Sequence, residues 1–468
     1  MYGRNIPLTK YVGFKAVLLS LYLNEMEFVM KRIIYASLLM FFGGVSWNCS
    51  LAATVGDKEI NDKINSLADK IESKVVKWRR EIHENPELSN REFETAKKVA
   101  NHLQKLGIEV QTGVAHTGVV GILKGGKPGP VVALRADMDA LPVVERVDIP
   151  FASKVKSTYN GQDVGVMHAC GHDTHVAILM GVAEILSQIK NDIPGTVKFI
   201  FQPAEEGPPL GEEGGAKLMV KEEALKNPDV DVIFGLHINS ATEVGTIKYK
   251  PGGAMASAHS YTIKVKGKQT HGSTPWTGID PIVTAAQIIN NLQTVVSRNL
   301  PLTEEAAVVT VGSIHGGVRN NIIPEEVIME GTIRSLNEEM QKKIFERMKT
   351  IIEHTAAANE AQAEFKINYG VPVTYNDPEL TEKMLPTLVE VAGRDNVKKR
   401  KAITGAEDFS YFQKEVPGLY FFLGGMTKGQ DPTTAAPHHT PDFYIDDSGL
   451  VLGVKALSRL AIDYMNLK

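Results

Sequence analysis

Residues 131–142 read VVALRADMDALP, a short apolar run at 131–134 that breaks at once into alternating charge. Such a run suits a strand buried on both faces, and two others repeat its plan. Residues 196–201 lead into QPAEEG, and residues 230–236 lead directly into His237. Open α/β sheets keep their ligand crevices at the carboxyl ends of strands, so these three polar ends are expected to converge. Helical spacing lies between and around the strands. Ile60, Ile64, Leu67, Ile71, Val75, Trp78 and Ile82 recur every three or four residues, a second helix runs to Leu106 before Gly107, and 174–189 reads as a third. The alternation implies an α/β fold, a sheet with helices on both faces in three αβα layers.

From about Ala256 the pattern changes to strand 260–266, helix 281–297, strands 306–314 and 327–334, helix 338–358 and strand 363–369. This β-α-β-β-α-β order is the split βαβ, ferredoxin-like arrangement, complete enough to form a small domain of its own. Glycine and proline flank it at 251–253 and 370–372, so residues 251–371 read as an insertion between two parts of one larger domain, 54–250 and 372–468. After Pro378 come a helix, the loop 404–408, a strand at 418–423, the pair His438 and His439, and a terminal helix from about Asp447. The cluster 398–401 reads as a solvated charged face.

A chain of 468 residues with 43% hydrophobic content has ample material for more than one core. With 51 basic against 55 acidic residues and no long basic run, neither nucleic acid nor an anionic membrane surface is an implied partner. At the N-terminus Lys31 and Arg32 precede an apolar run, 33–45, and small residues Ser50, Ala52 and Ala53. That is the plan of a cleavable secretory signal within 1–53, with Met30 as the start, which places the mature protein in the periplasm or outside the cell. An uncleaved anchor or a buried helix is the alternative. Cleavage removes Cys49 and leaves Cys170 as the one cysteine of the mature chain.

Cys170 stands in HACGHDTH, residues 168–175, where three histidines and an aspartate crowd one thiol. Thiolate with imidazole suggests a transition metal, and Gly171 would let Cys170 and His172 turn toward one ion. A free cysteine is equally at home as a small buried hydrophobe. Glu205 and Glu206 are adjacent; on an extended backbone one could bind metal while the other faces the attacking water, although a Glu-Glu pair is also ordinary surface sequence. His237 and the histidine pair are weak signals singly, and jointly they suggest hydrolysis by a metal-activated water.

The strings RREIHENPELS, ALRADMDALP, MHACGHDTH, QPAEEG, GLHI, THGSTPWTGIDP, RNNIIP, EGTIRS, GAEDFSYF and HHTP occur in this order from Val75 onward. Together they resemble the amidohydrolase branch of the aminoacylase and carboxypeptidase-G-like metallopeptidases, which includes hippurate hydrolases and plant indole-acetyl-amino-acid hydrolases. The resemblance implies that Cys170, His172, Glu206, His237 and His439 hold two divalent metal ions per subunit. Zinc or manganese is expected, with cobalt and nickel as alternatives. His439 rather than His438 is implied because the branch's ligand stands two residues before the proline. Glu205 matches the general base, and Asp139 the carboxylate that orients the site from behind the ligands. Asp137 stands where the wider family has histidine. The insertion resembles a lid that is also a dimerisation domain. His271 there matches a histidine that reaches the partner subunit's site and steadies the carbonyl oxygen. Asn321 and Arg334 match residues that hold the substrate carboxylate, and Gly405 lets backbone approach the substrate. The implied activity is hydrolysis of N-acyl-amino acids by a homodimer. A dipeptidase or exopeptidase, a cysteine hydrolase with Cys170 as nucleophile, and a noncatalytic binding protein on the same scaffold are the rivals.

Overall fold

The computed structural model describes residues 58–467. The signal-peptide reading of 1–53 therefore lies outside the described residues. Among those that are described, no helix is long and apolar enough to cross a membrane.

The larger domain is built on an eight-stranded mixed sheet. Its order is Glu109–Val114, Gly118–Lys124, Pro194–Gln202, Lys127–Asp137, Val232–Glu243, Gly418–Met426, Ile247–Tyr249 and Val397–Lys399. The four central strands are parallel, and their interiors are apolar on both faces. Phe199 and Phe201 point to one face and Ile200 to the other; Phe421 and Tyr420 divide in the same way. The first face is covered by the long helices Lys58–Glu84, Phe93–Lys105, His172–Gln188, Pro378–Ala392 and Leu450–Met465. Among the described residues, the second carries only the short helices Gly215–Lys221 and Ser410–Glu415. The three layers expected are present, but unequally clad.

The insertion forms a separate four-stranded antiparallel sheet, ordered Ala307–Gly316, Glu326–Ser335, Ser257–Lys266 and Gln362–Val371. Helices Pro281–Asn299 and Glu338–Ala358 close a core of their own over it, with Ile263, Ile288, Leu292, Met329, Ile344 and Met348 at its centre. The chain enters and leaves through one ribbon, in which Gly252–Met255 pairs antiparallel with Thr374–Asn376.

One local expectation needs correction. The strand carrying His237 does not end before it but continues to Glu243, because its neighbour pairs with it in register through Gly424↔Asn239 and, past a bulge, again at Met426↔Glu243. On its other side, pairing with Lys127–Asp137 stops at Arg135↔Gly235. The two strands part there, and His237 stands at the opened seam. The charged cluster at 398–401 overlaps the edge strand Val397–Lys399, where exposed lysines discourage pairing with another sheet.

Candidate metal centre

Gly171 sets the geometry of the cysteine loop. It lies at φ +91°, and a Cβ there would come within 2.4 Å of Ile238 Cγ2, so only glycine fits. The left-handed residue caps helix His172–Gln188, which places His172 at the first helical position rather than in a loop. Cys170 and His172 are thereby aimed at one point.

Glu205 and Glu206 are not extended but lie in a turn that follows Ala204, a non-glycine residue at φ +53°. Two carboxylates explain why that strained turn persists. Asp139 accepts both consecutive amides, Glu205 N on Oδ1 and Glu206 N on Oδ2, each at 3.0 Å, and Glu92 accepts Ala204 N at 2.9 Å. As a result both glutamates face the same side: Glu205 Oε2 is 3.9 Å and Glu206 Oε1 4.0 Å from His172 Nε2. His439, also at positive φ (+63°), is held by its amide bond to Ala169 O at 2.8 Å. Its Nε2 lies 3.0 Å from Glu206 Oε1 and 3.3 Å from Cys170 Sγ. His237 Nε2 is 3.4 Å from the same sulfur. All five residues implied as ligands therefore meet around Cys170.

The donors suit divalent cations. Donor atoms of Cys170, His172 and Glu206 lie within 4.8 Å of one another. The buried Nε2 of His172 has no hydrogen-bond partner, while its Nδ1 is committed to Asp139 O at 2.9 Å. Likewise His237 Nδ1 donates to Ile238 O at 2.6 Å, which leaves Nε2 as the lone-pair nitrogen. The local field also calls for positive charge. Burial alone would lower the His172 pKa, but Asp137 and Asp139 outweigh it and push it up to about 10. Burial and then Glu407, Glu206 and Asp408 hold Glu205 well above the usual carboxylate range. Burial, reinforced by Glu206 and Glu205, raises the Cys170 thiol well above its ordinary value.

Asp137 is not free to bind a metal. Its carboxylate is taken by Arg135 Nη1 and by His175 Nδ1, each at 2.5 Å, and His175 Nε2 accepts the Ile238 amide at 2.8 Å. The third histidine of the loop is thus a brace between strands.

A cavity of about 470 Å³ opens over this cluster, lined among others by Glu205, Met255, Arg334, Ile403, Gly405 and Phe422. The Arg334 side chain forms no ion pair or hydrogen bond among the described residues, so its guanidinium is available to an anion. Gly405 lies on the wall, but a Cβ there would meet nothing nearer than 3.8 Å, so the protein itself does not require a glycine. Two residues are not brought in. His271 and Asn321 are exposed and adjoin each other on the four-stranded domain, where Gly272 N donates to Asn321 O at 2.8 Å. Neither lines the cavity of its own chain.

Sequence reading missed the wall behind Glu205. The fully buried Arg135 binds Glu407 Oε1 and Asp408 Oδ1, each at 3.0 Å, and Gln202 Oε1 at 2.8 Å. It also overlooked Glu92 and the buried set of Arg79, His83, Glu145 and Asp173. The charges within the apparently structural string RREIHENPELS were the available signal.

A sequence profile of peptidase family M20/M25/M40 matches residues 133–463. Thermostable carboxypeptidase 2 of Saccharolobus solfataricus is 42% identical over 410 residues, covering 87% of this chain and 100% of that protein. N-acetylcysteine deacetylase of Bacillus subtilis is 38% identical over 398 residues (85% and 98% covered). IAA-amino acid hydrolase ILR1-like 2 of Arabidopsis thaliana is 38% identical over 400 residues (84% and 86%). Among solved structures, Bacillus subtilis YXEP, described as a dinuclear metal-binding peptidase, superposes with a TM-score of 0.70 at 36% identity, covering 85% of this chain and 99% of that one.

Proposed function

Because the chain belongs to peptidase family M20/M25/M40 and is a metal-dependent hydrolase of amide or peptide bonds, we propose that its substrates are N-acyl-amino acids, cleaved to a carboxylic acid and a free amino acid. One observation carries the reading: Arg334, without a carboxylate of its own, shares a cavity with Glu205 and the Cys170 cluster. The guanidinium binds the substrate's free carboxylate as a bidentate partner and sets the amide over the cluster. Cys170, His172, Glu206, His237 and His439 hold a pair of divalent ions, which supply Lewis acidity toward the scissile carbonyl and the attacking water. Zinc or manganese suits a donor set of one thiolate, three imidazoles and a carboxylate. Glu205 takes the water's proton on Oε2, the oxygen facing His172, and passes it to the leaving amine.

Homodimerisation belongs to the same proposal. Trp276 (78% exposed), Ile282, Val283, Ile314 and Val318 (94% exposed) form apolar surface on the lid that bears His271 and Asn321. Pairing of two lids there would cover it and bring His271 to a partner's cavity. We also propose export directed by residues 1–53, which N-terminal sequencing of the protein from a periplasmic fraction would check.

The test is Glu205→Gln. Turnover of acetyl-, benzoyl- and indole-acetyl-amino acids should fall by roughly 10²–10⁴-fold with metal content unchanged; undiminished turnover would remove Glu205 from its role. Dipeptides belong in the same panel, since the 42% identity to a carboxypeptidase supports peptide cleavage as a second reading. Exclusive turnover of peptides would favour it.

A further inference from the structure

Besides the ligand histidines a further imidazole reaches the sulfur: His438 Nδ1 lies 3.7 Å from Cys170 Sγ. Donor atoms of Cys170, His237 and His438 fall within 4.8 Å of one another, so proximity alone would make His438 a ligand. The hydrogen bonds of its other nitrogen say otherwise. His438 Nε2 accepts the Ser240 amide at 3.3 Å. In the neutral ring, Nδ1 must then carry the proton. That proton points at Cys170, whose carbonyl oxygen is 3.2 Å away and whose sulfur is 3.7 Å away. His172 and His237 also turn Nδ1 to a carbonyl oxygen, but their Nε2 faces inward, whereas that of His438 is taken by the Ser240 amide.

The ring is also fixed in place. It packs on Phe443 with centroids 4.8 Å apart and on His237 at 5.3 Å. Its loop is tied to the His237 strand by Ser240 Oγ donating to Ala436 O at 2.8 Å. A donor held in that way cannot swing its lone pair to a cation without breaking the Ser240 bond and leaving a buried amide unpaired.

We propose that His438 is a positioning residue whose Nδ1–H is shared between the carbonyl oxygen and the sulfur of Cys170 and so supports the thiolate as a metal ligand, while binding no metal itself. The inference rests on the dinuclear reading above. An N–H···S bond draws charge from the sulfur and fixes its direction, the support that partners lying behind metal ligands give elsewhere.

The test uses the full chain loaded with cobalt(II), read by elemental analysis, by chelator competition and by the sulfur-to-cobalt charge-transfer absorption. His438→Ala should keep two ions per chain, shift that absorption and weaken retention by roughly 10–100-fold. His438→Asn places an amide N–H near the lost Nδ1 and should restore much of both. His439→Ala should lose one ion. If His438→Ala also loses one ion, the ring is a direct ligand; if retention and absorption are both unchanged, it merely packs. Either result overturns the inference. Absence of the sulfur absorption in the unaltered protein would overturn the dinuclear reading itself, which keeps the two failures distinct.

Discussion

Replacing Asp139 by asparagine should damage folding, metal retention and catalysis together, although the side chain touches no proposed substrate. The buried carboxylate accepts Glu205 N on Oδ1 and both Glu206 N and Ser89 Oγ on Oδ2, with His172 Nδ1 3.3 Å from Oδ1. Asparagine keeps one oxygen. Whichever way the amide is turned, its NH2 confronts a backbone N–H. The loss of a charge-assisted bond is worth about 1.5–3 kcal/mol, and an unpaired buried amide adds about 1–3 kcal/mol, for a total of about 2.5–6 kcal/mol. Ser89→Ala, which removes a single donor, should cost only about 1 kcal/mol. Because the turn positions Glu205 and Glu206, metal retention in Asp139→Asn should fall by roughly 10–100-fold and kcat by about 10²-fold. Chemical denaturation, chelator competition and hydrolysis of an N-acyl-amino acid measure the three effects. Stability within about 0.5 kcal/mol of the parent together with normal metal retention would refute the claim that Asp139 holds the turn.

Arg334→Lys keeps the charge but loses the planar fork. KM for substrates with a free carboxylate should rise about tenfold or more, while substrates amidated at that carboxylate should change little; equal effects on both would remove Arg334 from carboxylate binding. His83 gives a pH signature. Burial opposes its protonation, yet Asp173 (2.8 Å) and Glu145 (3.1 Å) outweigh burial and raise its pKa above the ordinary 6.5. Its stabilisation is therefore complete below the unfolded value near 6.5 and is lost as pH rises through the higher folded pKa. Unfolding free energy should decline over that interval, and His83→Gln should flatten the decline; an unchanged slope would contradict the assignment.

Local pattern made much of the fold legible. The runs at 131–134 and 196–201 and the lid's β-α-β-β-α-β order depend on apolar periodicity, which a core enforces. Glu109–Val114 was not recognised as a strand, because its residues are mostly exposed and carry no clear alternation. In the sequence His237 reads as following a strand, since a histidine looks like an end when the register of a distant neighbour, Gly418–Met426, is unknown. At the site, residue types and short spacings pointed to Cys170, His172, Glu205 and Glu206. The turn that directs both glutamates to one side could not be read, because it depends on Asp139 and Glu92 from far along the chain. Arg135 was invisible for the same reason: its partners Glu407 and Asp408 lie more than 270 residues away. The separation of His438 from His439 came from a resemblance alone, and the Ser240 amide supplies a physical ground for it.

Anomalous diffraction from crystals of the protein loaded with zinc or manganese, recorded at the metal's absorption edge, addresses the dinuclear site most directly. Two peaks about 3.5–4 Å apart among Cys170, His172, Glu206, His237 and His439 are the predicted result. Full loading with no peak at Cys170, or with ions only at surface carboxylates, would contradict it.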